Sequence, residues 1–385
     1  MKSVTILGAT GSVGKSTLDL VERAPEDYRV VAVTANGNAE QLAAIAIRTR
    51  AQLAVVADEA ALPALREALR GTDIAAAGGG DAVEQAARLE CDWTMGAIVG
   101  CAGLGPVLAA VEQGGTVVLA NKEPLVSAGD LILAAAQKSG ATILPADSEH
   151  NAIFQCFDFA RPERVRRIVL TGSGGPFRDW SIEQMRSVTP EQAIAHPNWS
   201  MGAKISVDSA TMMNKGLELI EAARLFPVDH DRVEIVVHRQ SIIHSLVEYV
   251  DGSLLAQLGP SDMRVPIAHC LAWPDRMATP MEPLDLVRVG RLDFEAPDPV
   301  RFPTLGLARA AVEAGGARPA ILNAANEVAV AAFLDGAVGF LEIAAIVADT
   351  LECFDPPAPQ TLDAVLDIDR EARRLAAERV KERVA

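Results

Sequence analysis

Residues 4–14 have the sequence VTILGATGSVG, in which an apolar run leads into three glycines at positions 8, 11 and 14. The run Val4–Leu7 predicts a strand, and the segment Ser16–Arg23 behind the glycines predicts a helix. Glycines let a backbone turn tightly and approach a pyrophosphate that rests on the helix amino terminus. The spacing is GxxGxxG rather than GxGxxG, yet this strand–turn–helix context predicts a dinucleotide-binding turn. The alternative is a tight turn that holds no ligand.

The same stretch nearly matches the phosphate loop of NTPases. Gly14-Lys15-Ser16 supplies the end of that motif, but Ala9 stands where its first glycine should be. No apolar run ending in a magnesium-binding Asp follows at the usual distance. The dinucleotide interpretation is therefore favoured over the triphosphate one.

Short apolar runs alternate with helix-like segments as far as residue 146. The predicted strands are Val4–Leu7, Val30–Thr34, Leu53–Ala57, Ala97–Gly100, Thr116–Ala120 and Thr142–Leu144. The predicted helices between them include Ser16–Arg23, Ala39–Arg50 and Leu62–Arg70. This alternation predicts a parallel, doubly wound sheet, and hence an α/β protein whose amino-terminal domain, residues 1–146, is Rossmann-like.

The pattern changes beyond residue 146. Residues 147–273 mix the two element types and predict an α+β domain, with extended segments at Val165–Leu170, Glu234–Val237 and Ser253–Leu258 and a helix over Ser209–Leu225. Residues 274–303 are rich in proline and predict a linker. Residues 304–385 have helical periodicity and predict a carboxy-terminal helical bundle.

Composition excludes several classes of protein. The 385 residues are 50% hydrophobic, enough for two or three domains, and contain no 18-residue apolar run of the kind that spans a membrane. Met1-Lys2 leads directly into a strand, so we expect a soluble cytoplasmic chain with no membrane partner. The net charge of −16 argues against nucleic acid as a partner. Five scattered cysteines without a CxxC argue against a disulfide framework or a thiolate zinc site.

Two carboxylates stand close together in the run 144–150, LPADSEH. An extended backbone would place Asp147 and Glu149, two residues apart, on one side of the chain. Like charges so placed need a divalent cation or a shared proton between them. An exposed acidic turn is the alternative.

The run from His196 to Glu218 is unusually rich in hydroxyl, amide and basic side chains. Asp208 or Ser209 could cap a helix on which Asn214, Lys215 and Glu218 lie on neighbouring ridges. Such a face could hold a phosphate at one end and a cation at the other, although a solvated helix face is the alternative. The preceding loop carries Trp199 and Met201, which could fold over a ligand as a lid. A second glycine-rich turn, residues 171–176, has donors suited to a phosphate.

Two further turns follow predicted strands. Asn121-Lys122-Glu123 places polar groups at the carboxyl edge of the sheet, where ligands bind. Residues 33–38, VTANGN, lack the acidic residue that usually binds the ribose of NAD, which favours NADPH. They also lack any Arg or Lys, so the 2′-phosphate would need Asn36, Asn38 and backbone donors, or a base from elsewhere.

Together these segments resemble the 1-deoxy-D-xylulose 5-phosphate reductoisomerase family, NADPH-dependent enzymes of the methylerythritol phosphate route to isoprenoids. The resemblance covers nearly the whole chain. The motifs that carry it are GATGSVG (8–14), NKE (121–123), PADSEHNAIFQ (145–155), TGSGGPF (171–177), HPNWSMG (196–202), KISVDSATMMNKGLE (204–218), RQSIIHS (239–245) and LNAANEVAVAAF (322–333).

The resemblance implies that residues 147–273 form the catalytic and dimerisation domain, and it implies roles for particular residues. The implied metal ligands are Asp147, Glu149 and Glu218, which with Lys122 form the implied catalytic set. The implied substrate contacts are Lys122, Ser148, Glu149, Ser173, His196, Ser209, Asn214, Lys215 and Glu218. The implied cofactor contacts are Thr10, Gly11, Ser12, Val13, Asn36, Gly37, Asn38, Asn121, Glu123 and Gly202. Residues 196–202, with Trp199 and Met201, match the family's flexible lid.

The resemblance also implies an activity and partners. Three carboxylate ligands without His or thiolate suit Mg²⁺ or Mn²⁺. We expect the chain to rearrange and reduce 1-deoxy-D-xylulose 5-phosphate, a phosphorylated sugar, to 2-C-methyl-D-erythritol 4-phosphate as a homodimer. Two departures stand out: no base occupies Asn36-Gly37, and Pro124 follows the NKE motif where Ser or Ala is more usual.

Two other functions share part of this pattern. A semialdehyde dehydrogenase has a similar amino-terminal turn, but needs a nucleophilic cysteine, for which Cys101 is the well-placed candidate. A nucleotide-sensing Rossmann protein would also have the turn, but it would have no use for the carboxylates or for Lys215.

Overall fold

The computed structural model describes residues 1–199 and 201–384, so Ser200 of the predicted lid and the terminal Ala385 lie outside the described residues. The elements of the first part of the chain are β1 (Lys2–Leu7), α1 (Ser12–Arg23), β2 (Tyr28–Ala35), α2 (Ala39–Thr49), β3 (Leu53–Val56), α3 (Leu62–Ala68), β4 (Ala75–Gly78), α4 (Gly80–Ala87), β5 (Trp93–Gly96), α5 (Leu104–Gln113), β6 (Thr116–Leu119), α6 (Glu123–Ser139), β7 (Thr142–Pro145) and α7 (Ser148–Cys156).

The second part of the chain is more helical. Its elements are β8 (Val165–Gly172), α8 (Ile182–Met185), α9 (Pro190–Ile194), α10 (Ala203–Thr211), α11 (Met213–Leu225), β9 (Val233–Val237), β10 (Ile243–Tyr249), β11 (Leu254–Leu258), α12 (Arg264–Ala272), α13 (Leu286–Val289), α14 (Thr304–Ala314), α15 (Arg318–Leu334), α16 (Glu342–Cys353) and α17 (Leu362–Val384). None of the described helices is both long and apolar enough to cross a membrane.

The chain divides into two compact units. Unit 1 contains residues 1–124, 130–151 and 262–281, and unit 2 contains residues 125–129, 152–261 and 282–385.

Unit 1 is built on a seven-stranded parallel sheet with the order β4-β3-β2-β1-β5-β6-β7. The chain first adds strands on one side of β1 and then crosses to add β5 on the other side. This confirms the Rossmann-like, doubly wound sheet, whose switch point lies between β1 and β5. Helices pack on both faces of such sheets, which is why Ile6 and Leu7, successive residues of β1 that point to opposite faces, are both fully buried.

Unit 2 contains a four-stranded sheet and a helical bundle. The sheet has the order β11-β10-β8-β9, with β8 and β9 parallel and the other pairs antiparallel. Ile168 and Leu170 of β8 pack with Leu219 of α11 in one core cluster. Helices α10, α11 and α14 to α17 share a second cluster that includes Phe177 and Phe333. These features confirm the α+β part and the carboxy-terminal helical bundle.

Several local predictions were wrong. The strand predicted at Ala97–Gly100 is β5, Trp93–Gly96, because ladder pairing of Leu7 with Gly96 fixes where the strand ends. Strands β4 and β10 were not predicted. The helix predicted over Ser209–Leu225 is two helices, since Met212 adopts φ +62° between α10 and α11.

Candidate active site

The glycine-rich turn of unit 1 is shaped by close backbone contacts. Gly8 has φ +86°, and a Cβ added to it would lie 2.5 Å from the carbonyl oxygen of Ala97. A Cβ on Gly14 would lie 2.3 Å from the carbonyl oxygen of Gly8. These positions therefore require glycine so that α1 can pack directly on the turn.

The amino terminus of α1 is suited to an anion. Gly11 is the N-cap residue and has no side chain to bond the first backbone N–H groups. Ser12 and Val13 form the first turn of the helix, and Thr10 directly precedes the cap. Four of the predicted cofactor residues, Thr10 to Val13, thus surround an uncapped helix end of the kind that binds a pyrophosphate.

The turn between β2 and α2 holds the next predicted cofactor residues. Asn38 caps α2, its Oδ1 accepting a hydrogen bond of 3.1 Å from the backbone N–H of Gln41. The carbonyl oxygen of Asn36 accepts from the N–H of Asp58. A Cβ on Gly37 would lie 3.5 Å from Oδ2 of Asp58. The turn itself therefore contains a neighbouring carboxylate and no cation.

The Asn121-Lys122-Glu123 turn ends β6 and begins α6. The Nδ2 atom of Asn121 is buried and has no hydrogen-bond partner among the described residues, so a donor is left for a ligand. Pro124 lies in the first turn of α6, where a backbone N–H would have no helical partner. The unusual proline therefore fits this position without cost.

Asp147 and Glu149 lie where the chain leaves β7, but their backbone is not extended as predicted. Glu149 is in the first turn of α7, and Oδ1 of Asp147 accepts from its backbone N–H at 3.1 Å. The buried Lys122 donates from Nζ to Oδ2 of Asp147 at 2.5 Å, and Ser148 donates to the Glu149 carboxylate. The first turn of α7 and the hydrogen bond from Lys122 to Asp147 therefore place four predicted residues of unit 1 next to one another: Lys122, Asp147, Ser148 and Glu149.

In unit 2, the glycine-rich turn after β8 packs against α10 and α11. A Cβ on Gly175, which has φ +68°, would lie 2.6 Å from the carbonyl oxygen of Ser209. A Cβ on Gly172 would lie 3.0 Å from Cε and Cγ of Lys215. Glycine at both positions lets the turn carrying Ser173 approach Ser209 and the Lys215 side chain.

His196 links the same turn to the predicted lid segment. Its Nε2 lies 2.9 Å from Oγ of Ser173, and its Nδ1 accepts from the backbone N–H groups of Asn198 and Trp199. Asn198, which was not predicted, donates from Nδ2 to the carbonyl oxygen of Arg239 at 2.7 Å. Its polar side chain inside the lid motif was the available signal. Met201 and Gly202 follow, with Gly202 as the N-cap of α10.

The polar face of α11 is arranged as the helical spacing predicted. Glu218 is fully buried and accepts from Nδ2 of Asn214 and from Nζ of Lys215. The buried Oδ1 of Asn214 has no hydrogen-bond partner among the described residues. A Cβ on Gly216 would lie 2.6 Å from Cβ of Ala308, so this glycine allows α14 to pack closely.

The predicted helix cap at Asp208 or Ser209 was wrong. Both residues lie inside α10, and Met212 is the N-cap of α11. Asp208 instead forms an ion pair of 2.7 Å with Lys204 and accepts from Nδ2 of Asn326 at 2.7 Å. It therefore joins α10 to α15, while Ser209 remains beside the glycine-rich turn.

A doubly wound unit with an uncapped helix end, together with a second unit that has a buried polar helix face, is typical of the class of nicotinamide-nucleotide-dependent oxidoreductases. Family models match along the chain: 1-deoxy-D-xylulose 5-phosphate reductoisomerase over residues 4–129, its C-terminal domain over 143–226, and DXP reductoisomerase C-terminal domain over 258–375. The chain belongs to the 1-deoxy-D-xylulose 5-phosphate reductoisomerase family.

Individual relatives agree with this membership. The chain is 59% identical to the reductoisomerase of Zymomonas mobilis over 98% of this chain and 97% of that protein. It is 54% identical to the reductoisomerase of Caulobacter vibrioides over 99% and 97%. A solved Zymomonas mobilis reductoisomerase in complex with NADPH has TM-score 0.95 and 56% identity, covering 99% of both chains.

A second solved structure carries more ligands. It is a DOX-P reductoisomerase in complex with NADPH, fosmidomycin and magnesium, with TM-score 0.93 and 43% identity over 99% of this chain and 98% of that one. These relatives do not favour the semialdehyde dehydrogenase interpretation, whose candidate Cys101 begins a short 3₁₀ turn before α5.

Proposed function

We propose that this chain catalyses the NADPH-dependent conversion of 1-deoxy-D-xylulose 5-phosphate to 2-C-methyl-D-erythritol 4-phosphate. The observation that carries the proposal is the buried Glu218 carboxylate, held by Asn214 and Lys215 on one helix face. This face combines ammonium and amide donors, which suit a phosphate, with a carboxylate, which suits a cation. The relatives that bind NADPH, fosmidomycin and magnesium support the same assignment.

We propose that Ser173, His196, Ser209, Asn214 and Lys215 bind the substrate phosphate. The Ser173 turn approaches Ser209 and Lys215 within unit 2, and His196 contacts Ser173. An ammonium, hydroxyls and an amide are the donors that a phosphate needs, and charge-assisted bonds are the strongest of them. Binding energy from the phosphate would then hold the segment 196–202 over the substrate, since His196 belongs to both.

We propose that Asp147, Glu149 and Glu218 together bind one divalent cation, Mg²⁺ or Mn²⁺. The set consists of three carboxylates, which are hard oxygen ligands that fit such a cation and suit zinc poorly. When bound, the cation would supply Lewis-acid stabilisation of negative charge on substrate oxygens. Lys122, which donates to Asp147, would add a fixed positive charge beside those oxygens.

NADPH would lie along the carboxyl edge of the unit 1 sheet. The helix end at Gly11 fits the pyrophosphate, and the buried Nδ2 of Asn121 fits a hydrogen-bond acceptor on the cofactor. Glu123 and the Asn36–Asn38 turn belong to the same proposed surface, and we also propose Gly202 as a cofactor contact. Hydride transfer from the nicotinamide would reduce the aldehyde that the rearrangement produces.

One assay tests the proposed activity. Oxidation of NADPH is followed with 1-deoxy-D-xylulose 5-phosphate and Mg²⁺ or Mn²⁺, with EDTA and with NADH in parallel arms. We expect turnover that needs the substrate, stops with EDTA and resumes when metal is added in excess. Absence of turnover with either metal would refute the proposal, as would undiminished turnover in EDTA.

We also propose that the protein is a cytoplasmic homodimer. All five cysteines are free, which is usual in a reducing compartment. Sedimentation of the purified chain would show a mass of two chains, and fractionation of cells would recover the protein with the cytosolic enzymes. A monomer or a membrane-bound fraction would contradict the respective part.

A further inference from the structure

A cleft of about 260 Å³ lies between α1 and α2 of unit 1. Lys15, the fourth residue of α1, and Gln41, the third residue of α2, line it near the amino-terminal ends of the two helices. The backbone N–H of Gln41 bonds to Asn38, which belongs to the turn after β2. Lys15 therefore lies on the same cleft as the start of α2, next to the turn that follows β2, where a Rossmann fold holds the adenosine ribose.

The two acidic residues that line this cleft form ion pairs with arginines and not with Lys15. Asp19 forms ion pairs of 3.1 Å with Arg23 and 2.9 Å with Arg264. Glu22 forms one of 3.0 Å with Arg48. The exposed Lys15 forms no ion pair or side-chain hydrogen bond with residues 1–199 or 201–384. Its ammonium is thus available to an anion in a chain whose net charge is −16.

The other side of the β2–α2 turn does not attract an anion. The carboxylate of Asp58 lies beside Gly37, and no Arg or Lys occurs between residues 33 and 38. A phosphate on the ribose would be repelled from the Asp58 side and attracted to the Lys15 side. The charges on the two sides of the turn therefore favour a phosphate position on the side of Lys15.

We propose that Lys15 binds the 2′-phosphate of NADPH and so determines the preference of this chain for NADPH over NADH. The inference rests on the proposed function only in taking NADPH as the cofactor. Gln41 supports it, because its Oε1 accepts from Nδ2 of Asn38 at 3.2 Å and its NH₂ group is left as a donor toward the cleft. A flexible ammonium and an amide together match the oxygens of a phosphate monoester.

Binding measurements without substrate and in EDTA test this inference. Wild type and Lys15→Gln are titrated by calorimetry with adenosine 2′,5′-bisphosphate and with 5′-AMP, and by fluorescence with NADPH and NADH. The matched control is Lys138→Gln, which makes the same change of charge on an exposed lysine near the end of α6. Lys15→Arg keeps the charge and serves as the conservative variant.

We expect Lys15→Gln to weaken binding of the bisphosphate and of NADPH by about tenfold to thirtyfold, the worth of one charge-assisted hydrogen bond. Binding of 5′-AMP and NADH should change less than about twofold, Lys138→Gln should resemble wild type, and Lys15→Arg should restore most of the affinity. Unchanged affinity for the bisphosphate, or an equal loss for NADPH and NADH, would overturn the inference. If NADPH binds as expected but the substrate is not turned over, the proposed function fails and the assignment of Lys15 stands.

Discussion

Nε2 of His196 lies 2.9 Å from Oγ of Ser173. Nδ1 of the same ring accepts hydrogen bonds from the backbone N–H groups of Asn198 at 3.2 Å and Trp199 at 2.9 Å. The proton of the neutral imidazole is therefore on Nε2, which donates a hydrogen bond to Ser173. One ring therefore joins the proposed phosphate site to the segment 196–202. Replacing His196 should therefore affect both the proposed phosphate site and the backbone of the segment that follows it.

Ser173→Ala should raise KM for the substrate about tenfold with a smaller change in kcat, because a ground-state contact with the phosphate is lost. His196→Ala should raise KM more, since it also releases the backbone of the following segment. The double variant should resemble His196→Ala, because the two residues act as a pair. Steady-state kinetics check this. The control is Ser187→Ala, which removes an exposed hydroxyl that donates to the carbonyl oxygen of Gln184. An unchanged KM in Ser173→Ala would contradict the phosphate assignment.

Glu218→Gln and Asp147→Asn should each reduce kcat by about a thousandfold or more while the affinity for NADPH stays within about twofold. A neutral amide is a poor ligand for Mg²⁺, and loss of Lewis-acid stabilisation costs several kcal/mol. Kinetics at saturating Mg²⁺ and fluorescence titration with NADPH measure the two effects. Glu327→Gln, which breaks an ion pair with Arg373, is the matched control and should keep its kcat. Near-normal turnover in either site variant would refute the metal assignment.

Gly14→Ala should lower the stability of the fold, whereas Gly11→Ala should weaken NADPH binding and leave the fold intact. A Cβ at Gly14 would lie 2.3 Å from a backbone oxygen, so we expect a loss of about 3 kcal/mol in stability. A Cβ at Gly11, at φ −73°, would lie no closer than 3.4 Å to Gly8, so the fold should tolerate it. The added methyl would still block the helix end and weaken NADPH binding. Urea midpoints and NADPH titration check both variants; a stable Gly14→Ala protein would contradict the packing argument.

Local patterns predicted the parts of the structure that depend on local geometry. The glycine turn after Val4–Leu7 is set by short-range backbone contacts, and Asn214, Lys215 and Glu218 meet because helical spacing brings them together. The strand predicted at Ala97–Gly100 was placed directly after the true strand β5, Trp93–Gly96, because the apolar run continues past Gly96 and only pairing with β1 decides where the strand lies.

A contact between distant residues accompanies the break at Met212, whereas the error at Asp147 and Glu149 is local. Met212 breaks a helical pattern without any glycine or proline, at a point where the Thr211 carbonyl accepts from the Thr304 hydroxyl. Such a contact between residues far apart in the chain leaves no local signal. The site roles of Asp147 and Glu149 came from the family resemblance, and the geometry first assigned to them was wrong because α7 begins between them.

Protonation of His269 should destabilise the folded protein in acid. Burial, with a smaller contribution from Arg276, lowers the pKa of this imidazole from 6.5 to about 4. Its Nδ1 accepts from Nδ2 of Asn151 at 3.1 Å, a bond that needs the neutral ring. Between about pH 4 and pH 6.5 the unfolded chain therefore binds a proton that the folded chain does not.

The sign of the effect follows from that difference. Stability rises with pH wherever the unfolded state binds more protons, so the contribution of His269 is complete above about pH 6.5 and is lost as the pH falls toward 4. His269→Gln keeps an acceptor for Asn151 but cannot titrate, and its urea midpoint should fall less steeply than that of wild type across this range. Carboxylates titrate equally in both proteins, so the difference between the two curves isolates the histidine. Parallel curves, or an NMR titration of the ring with a midpoint near 6.5, would show that burial does not hold it neutral.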